Sequence, residues 1–295
     1  MFLLGKIMSK IVGHDGFVLN FVPDLWDSVV KFGKFNYAPL AESYMFKRGI
    51  GTTADHLNKF RTLADVATNL IPGFDIDAEE LDRNGHSTAK YSAQFAAVAE
   101  CCINELYSSL DGIRDVIYVV YSSAQGVQKN STGKLFLKAL NNGYGTGFPV
   151  ELKNILSEAC NNWFLQLRRY RTEFAHGSLG SCHKDRETGR ICYMHSGLGG
   201  ASGCLIIEDF IKYINDSFNN VHSLQHKVFE FFYRSLPLES AVVPCGFYQG
   251  RIYMREIHPE ENLSRNSGIC RAVDYEMQCP MKETCEAYEK ATKKV

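Results

Sequence analysis

The stretch VELKNILSEACNNWFLQLRRYRTEFAHG, residues 150–177, decides how this chain folds. Its apolar residues Leu152, Ile155, Leu156, Ala159, Trp163, Leu167, Tyr170 and Phe174 recur at three- and four-residue steps, which lays one buried stripe along an amphipathic helix. The helix is expected to run to His176, with Gly177 as a C-cap, because glycine can take the left-handed conformation that ends a helix. In an unbroken helix Arg171 and His176 lie about 140° apart, whereas Arg169 and His176, seven positions apart, are nearly in line. Either the helix loosens before His176 or Arg169 shares its work.

Two further stripes match this one in length. From Ser87, read as an N-cap, Tyr91, Phe95, Val98, Cys102, Leu106, Leu110, Ile113, Ile117 and Val120 keep helical spacing for roughly eight turns, with Gly112 as a point of bending. A third stripe, Ile207, Phe210, Ile211, Ile214, Phe218, Val221, Val228 and Phe232, reaches about Arg234. The connector from Asn130 to Phe148 is rich in glycine and holds a short helix around Leu135 to Leu140. Three long amphipathic helices joined by shorter pieces make an antiparallel helical bundle the economical fold.

Around that bundle the chain changes character twice. Residues 1–85 read as an irregular helical region, whose clearest helix starts near Thr53, carries Leu57, Phe60, Leu63, Ala64, Ala67 and Leu70 on one side, and stops at Pro72-Gly73. The acidic run from Asp75 to Asp82 reads as a solvated linker or a helix start. Residues 86–236 form the bundle, interrupted at 177–203 by an insertion in which Ile191 to Met194 form one strand of a small β-hairpin. Residues 237–295 hold a second hairpin, with Phe247-Tyr248 and Ile252 to Ile257 flanking Gln249-Gly250-Arg251, and then a cysteine-containing tail. The fold class is therefore mainly α, an antiparallel bundle with a small β-hairpin insertion and a small C-terminal region.

Composition bounds the function. The 295 residues are 45% hydrophobic and 12% aromatic, enough for a substantial core, and the formal net charge is −1. That balance argues against coating nucleic acid by bulk electrostatics, so affinity for RNA must come from a local patch such as Arg168, Arg169 and Arg171. Lys6 and Lys10 interrupt the opening apolar residues, which leaves no signal core or membrane span there. Ten cysteines without a signal peptide point to a reducing cytoplasm rather than a disulfide framework.

Arg171-Thr-Glu-Phe-Ala-His176-Gly places a fixed cation and an imidazole at the end of a buried helix. It resembles the R-x4-6-H signature of HEPN domains, in particular the form that ends in Ala-His-Gly. The resemblance covers the motif and the surrounding helices, about half of the chain. Thr172 stands where the family most often has Asn, Asp or His, and Ser178 stands where another version carries a tyrosine modified by a partner nucleotidyltransferase. What the resemblance implies is a helical bundle that forms homodimers, sets two motifs face to face, and cleaves RNA without a metal.

The chemistry agrees with that implication. An imidazole ordinarily titrates near pH 6.5, at about the right place to take a proton from a ribose 2′-hydroxyl and return one to the leaving oxygen. A guanidinium stays charged and offsets the negative charge that builds on phosphorus. The expected products are a 2′,3′-cyclic phosphate and a 5′-hydroxyl. Arg171 and His176 are the candidate catalytic residues, and Arg168, Arg169, Thr172 and Glu173 the candidate RNA-binding ones. The role implied is a toxin or antiviral defence effector, held in check by a regulatory or antitoxin protein. Against it stands a catalytically silent HEPN-like module that binds RNA, a nucleotide or a protein. A histidine at a helix end is also what a simple dipole cap looks like.

Other constellations carry less. Arg190 and His195 repeat the spacing, but in a strand and a glycine-rich loop rather than on a helix. Ser131-Thr132-Gly133-Lys134 lacks the earlier glycine and the hydroxyl residue of a phosphate loop. Cys182, His183, Cys192, His195 and Cys204 are rich in ligand types but have no paired knuckles. No cofactor is required for the expected reaction. Cys245, Cys270, Cys279 and Cys285 are read either as free buried thiols or as ligands of a structural zinc or iron–sulfur centre.

Overall fold

The computed structural model describes residues 10–11, 18–19, 28–129, 131–199, 203–261, 267–275 and 278–293. The protein is mainly helical, with small antiparallel sheets. It divides into two compact units, the first built on Tyr44–Val228 and the second on Leu4–Ser43 together with Phe229–Val295. This division differs from the three regions read along the sequence, because residues 44–85 fold with the first unit.

The reason is a backbone contact between two long helices, α2 (Tyr44–Leu70) and α4 (Lys90–Tyr121). A Cβ placed on Gly112 would stand 2.6 Å from the Gly49 carbonyl oxygen and 2.4 Å from Thr53 Oγ1. Gly112 is thus a point of close contact between the two helices. It also explains why α2 begins well before Thr53, since Gly49 is part of the packing and not a helix breaker.

The acidic run forms α3 (Gly73–Asn84). Its Asp77 is buried and accepts hydrogen bonds from the backbone N–H groups of Tyr91 (3.3 Å) and Ser92 (2.8 Å). A carboxylate at the positive end of a helix satisfies donors that have no intrahelical partner. Asp77 therefore takes over the capping expected of Ser87, whose hydroxyl donates to Glu80 instead, at 2.7 Å.

Residues 150–176 form one continuous helical run with an irregularity inside it. α6 (Val150–Ala159) passes through a π-helical turn at Cys160–Phe164 into α7 (Leu165–His176). In that turn Phe164 is fully buried, stacked on Phe136 of α5 (Thr132–Leu140) with ring centroids 3.8 Å apart and on Tyr107 of α4 at 6.0 Å. The connector's Ser131-Thr132-Gly133-Lys134 is the capped start of α5, where Ser131 Oγ accepts the Lys134 N–H at 3.2 Å.

The insertion forms a three-stranded antiparallel sheet from β4 (Ser181–Lys184), β5 (Ile191–His195) and β6 (Leu205–Ile207), with β5 in the centre. Ile207 belongs to β6 and not to the third long helix, which is α8 (Phe210–Ser235). Asp209 separates the two by accepting the Lys212 N–H at 2.9 Å, a capping bond that fixes the helix start. In the first unit α8 is tied to its neighbours by Phe218 stacked on Phe60 (4.9 Å) and by a buried bond from Gln225 Nε2 to Ser109 Oγ (2.8 Å).

The second unit contains α1 (Ser28–Gly33), whose Phe32 packs between Phe229 and Phe232, and a two-stranded pair of β3 (Asn36–Tyr37) with β7 (Leu238–Glu239). A five-stranded antiparallel sheet runs in the order β1 (Lys10–Ile11), β2 (Val18–Leu19), β8 (Ala241–Tyr248), β9 (Arg251–Ile257), β10 (Ile269–Cys270). The β8–β9 turn is two residues, Gln249 and Gly250, with φ of +46° and +75°, so Arg251 already belongs to β9. The tail ends in α9 (Glu286–Lys293). Among the described residues no helix is long and apolar enough to cross a membrane.

Candidate functional site

α7 stays helical through His176, so the motif does not loosen and its two candidate catalytic side chains leave the helix about 140° apart. Arg171 is half-buried, with its Cζ 5.0 Å above the Tyr107 ring. His176 is exposed at the last helical position. The structure therefore does not bring the two together within one chain.

The remaining motif residues are engaged in different ways. Arg168 is exposed as a whole, yet its guanidinium lies over α5, where a Cβ on Gly133 would stand 2.8 Å from Arg168 Cζ. The charges of Arg168, Arg171 and Arg114 all act on Tyr107, and Arg114 is itself paired with Asp111 at 2.9 Å and Asp115 at 2.8 Å. Burial, followed by the charge of Asp111, holds the Tyr107 hydroxyl above its ordinary pKa, and the three arginines oppose that rise. Arg169 donates to the Leu198 carbonyl at 2.6 Å and so anchors the insertion. Thr172 Oγ1 turns back to the Arg168 carbonyl at 2.9 Å.

Glu173 explains the glycines around it. A Cβ on Gly177 or on Gly197 would stand 2.1 Å from Glu173 Oε1. Gly177 is the C-cap, as expected, but with φ −100° and ψ −158° its backbone is extended rather than left-handed. The residue is small to admit a carboxylate, and not to supply an unusual φ.

The segment after His176 is pinned to the interior at two points. Glu100 of α4, itself buried, accepts the Gly180 N–H at 2.8 Å and the Tyr193 hydroxyl at 2.7 Å. His195, only 1% exposed, donates from Nε2 to the Ser178 carbonyl at 2.7 Å. Burial first, and then the bond to Glu100, push the Tyr193 hydroxyl well above the usual tyrosine range. Arg190 lies at the surface near Asp209, 3.9 Å away, so the second Arg-x4-His set is split between surface and interior.

Sequence reading missed Glu100, Tyr193 and Tyr107 as members of this region. One signal was present: Glu100 interrupts the buried series Ala96, Ala99, Ile103, Leu106 on α4, and a carboxylate inside an apolar stripe needs partners. Those partners lie 80 and 93 residues away along the chain, beyond the reach of periodicity. A cavity of about 420 Å³ lies between α3 and the β4–β5 turn, lined by Asp75, Asp77, Lys184 and Arg186 among others, and it does not include Arg171 or His176.

The tail cysteines come together. Cys270 and Cys279 are buried in one cluster of the second unit, and Cys245 and Cys285 pack against it. Among the described residues no group of three or more His, Cys, Asp or Glu side chains is placed so that it could hold a metal ion, either there or in the insertion. The chain matches no family model, no curated protein and no solved structure.

Proposed function

We propose that this chain is a metal-independent endoribonuclease of the HEPN type, acting on RNA as a homodimer. The observation that carries the reading is the placement of His176: an exposed imidazole that ends a helix, followed by a segment held from the interior by Glu100 and His195. A base that must meet a polymer has to be accessible, as this one is, and the backbone just beyond it is anchored at Ser178 and Gly180.

The divergence of Arg171 and His176 favours a composite site. In a dimer with facing motifs, the arginine of one copy stands beside the histidine of the other, and two histidines divide the acid and base roles. One takes the 2′-hydroxyl proton, the 2′-oxygen attacks phosphorus, and the 5′-oxygen leaves with a proton from the other. The arginines offset the charge on the phosphorane-like state. Leu165 and Leu179, at the start of α7 and just beyond its end, are exposed apolar side chains of the kind a dimer would cover. A role as a toxin or defence effector, with an antitoxin or regulatory partner, follows from the need to restrain such an activity.

The test is incubation of labelled single-stranded RNA with the purified protein in EDTA, beside His176→Ala and Arg171→Ala. Cleavage to 2′,3′-cyclic phosphate and 5′-hydroxyl ends, lost in both variants, is the expected result. A second reading is favoured by the same divergence together with the engagement of Arg169 by Leu198: a silent HEPN-like module that binds RNA. RNA bound but left intact by the folded wild-type protein would establish it.

A further inference from the structure

The cavity between α3 and the β4–β5 turn lies within the first unit and has no part in the nuclease reading. Its volume, about 420 Å³, falls within the roughly 300–1,000 Å³ of small-ligand sites. One wall is apolar. Phe74, buried and set edge-on to Phe95, lines it together with Ala78 and Leu81 of the same helix, and Leu81 is left exposed. A second wall comes from β4 and the turn after it, which contribute His183, Lys184 and Arg186. Ser87 and Ser92 add two hydroxyls from the region where α4 begins.

Hydrogen bonding decides which charge the cavity can take. Every carboxylate in its lining already accepts from the protein. Asp77 holds the first amides of α4 and the Ser92 hydroxyl, at 2.7 Å. Asp185 accepts the N–H groups of Glu187 (3.1 Å) and Thr188 (2.6 Å) and the Thr188 hydroxyl (2.7 Å). Asp75 takes the Lys184 ammonium on both oxygens, at 2.7 and 2.8 Å. The donors are not used up in the same way. Arg186 gives only Nη2, to Asp82 at 2.8 and 3.0 Å, so its Nε and Nη1 have no partner among the described residues, and His183 makes no hydrogen bond among them. The Asp75 and Asp82 side chains are 62% and 60% exposed, and ion pairs so open to water are weak and readily exchanged. What is left over is therefore N–H donors beside an apolar wall, which suits an anion with an apolar body and not a cation.

We propose that this cavity binds a nucleoside monophosphate. Lys184 and Arg186 hold the phosphate and let Asp75 and Asp82 go to water, while the base lies against Phe74 and Leu81. A guanidinium fork matches two phosphate oxygens, and an ammonium adds a point charge beside it. Phosphate is favoured over carboxylate for two reasons. Lys184, Arg186 and His183 offer more donors than one carboxylate can use, and a dianion competes better with Asp75 and Asp82 for them. The hydroxyls of Ser87 and Ser92 donate to Glu80 and Asp77, and their remaining lone pairs can accept from a base N–H or a ribose hydroxyl.

The test is calorimetric titration of the full-length chain with each of the four ribonucleoside 5′-monophosphates, the matching nucleosides and inorganic phosphate. It reads binding and not cleavage, so its failure leaves the nuclease reading standing. Saturable binding of a nucleotide at one site per chain is expected, about tenfold or more tighter than its nucleoside or phosphate alone. Lys184→Ala and Arg186→Ala should each weaken it by about tenfold or more, while Lys212→Ala, on α8, should leave it unchanged. Asp82→Asn removes a competing carboxylate and should tighten binding severalfold, a gain that misfolding cannot imitate. The proposal is overturned if none of the four nucleotides saturates the wild type, or if phosphate or benzoate binds as tightly as the best of them. It is overturned equally if Arg171→Ala abolishes binding and Arg186→Ala does not, which would place the nucleotide at the motif, or if single-stranded RNA binds through Lys184 and Arg186 where mononucleotides do not.

Discussion

The Tyr193 hydroxyl donates to the Glu100 carboxylate at 2.7 Å, joining the central strand of the insertion to the longest helix of the first unit inside its core. The same carboxylate holds Gly180, so this one pair fixes the path of the chain beyond the motif. Tyr193→Phe removes one donor from a buried acceptor, for which the expected cost is about 1–3 kcal/mol. Urea unfolding followed by circular dichroism measures it. An unchanged midpoint would mean that Glu100 finds water instead.

Alkaline pH should act through the same residue. An unfolded tyrosine ordinarily titrates near pH 10, and burial plus the bond to Glu100 hold Tyr193 above that in the fold. Above about pH 10 the unfolded chain loses a proton that the folded one keeps, so stability falls as pH rises through this window and is fully present below it. Tyr213 is shifted in the same direction, chiefly by burial. The denaturation midpoint should therefore decline beyond about pH 10 more steeply for the wild type than for Tyr193→Phe. Parallel declines would remove Tyr193 as a cause.

The glycine contact makes a contrast across one pair of helices. Gly112→Ala drives a methyl group into the Gly49 carbonyl and Thr53, backbone and buried side chain that have no room to yield, with an expected loss of about 1–3 kcal/mol or more. Gly51→Ala, in the facing α2 helix with nothing within 4 Å of its added Cβ, should stabilise by about 0.5–1 kcal/mol through helix propensity. Thermal melts of the two variants should move in opposite directions.

Arg169 and Arg171 should separate by phenotype. Arg169→Ala releases the Leu198 carbonyl, so limited proteolysis should cut faster near residues 196–199. Arg171→Lys keeps the charge but loses the planar guanidinium over Tyr107 and its forked donors, and should lower RNA cleavage by at least tenfold with little change in proteolysis. Equal effects of both variants on both readouts would show that the two arginines act as one group.

Local periodicity made the long helices legible. The apolar stripes of α4, α7 and α8 are each one-dimensional patterns, and a helix records them at fixed spacing. Ends and irregularities were less visible. Asp77 replaces Ser87 at the start of α4 because a carboxylate from the preceding helix reaches its first amides. Ile207 continues the spacing of the third stripe, yet pairs with Tyr193 as a strand residue. Of the site, Arg171 and His176 were named from the motif alone. Their separation around α7, and the support of the following segment by Glu100 and His195, depend on contacts between distant parts of the chain.

The π-helical turn at Cys160–Phe164 amounts to one surplus residue within the run from Val150 to His176. Each residue of helix is worth about 100° of rotation, so shortening that turn by a single residue would spin the motif by about that angle relative to α6. The orientation of Arg171 and His176 is thus set by chain length upstream as much as by their own identity. A one-residue deletion there, leaving every motif side chain intact, would re-aim them all.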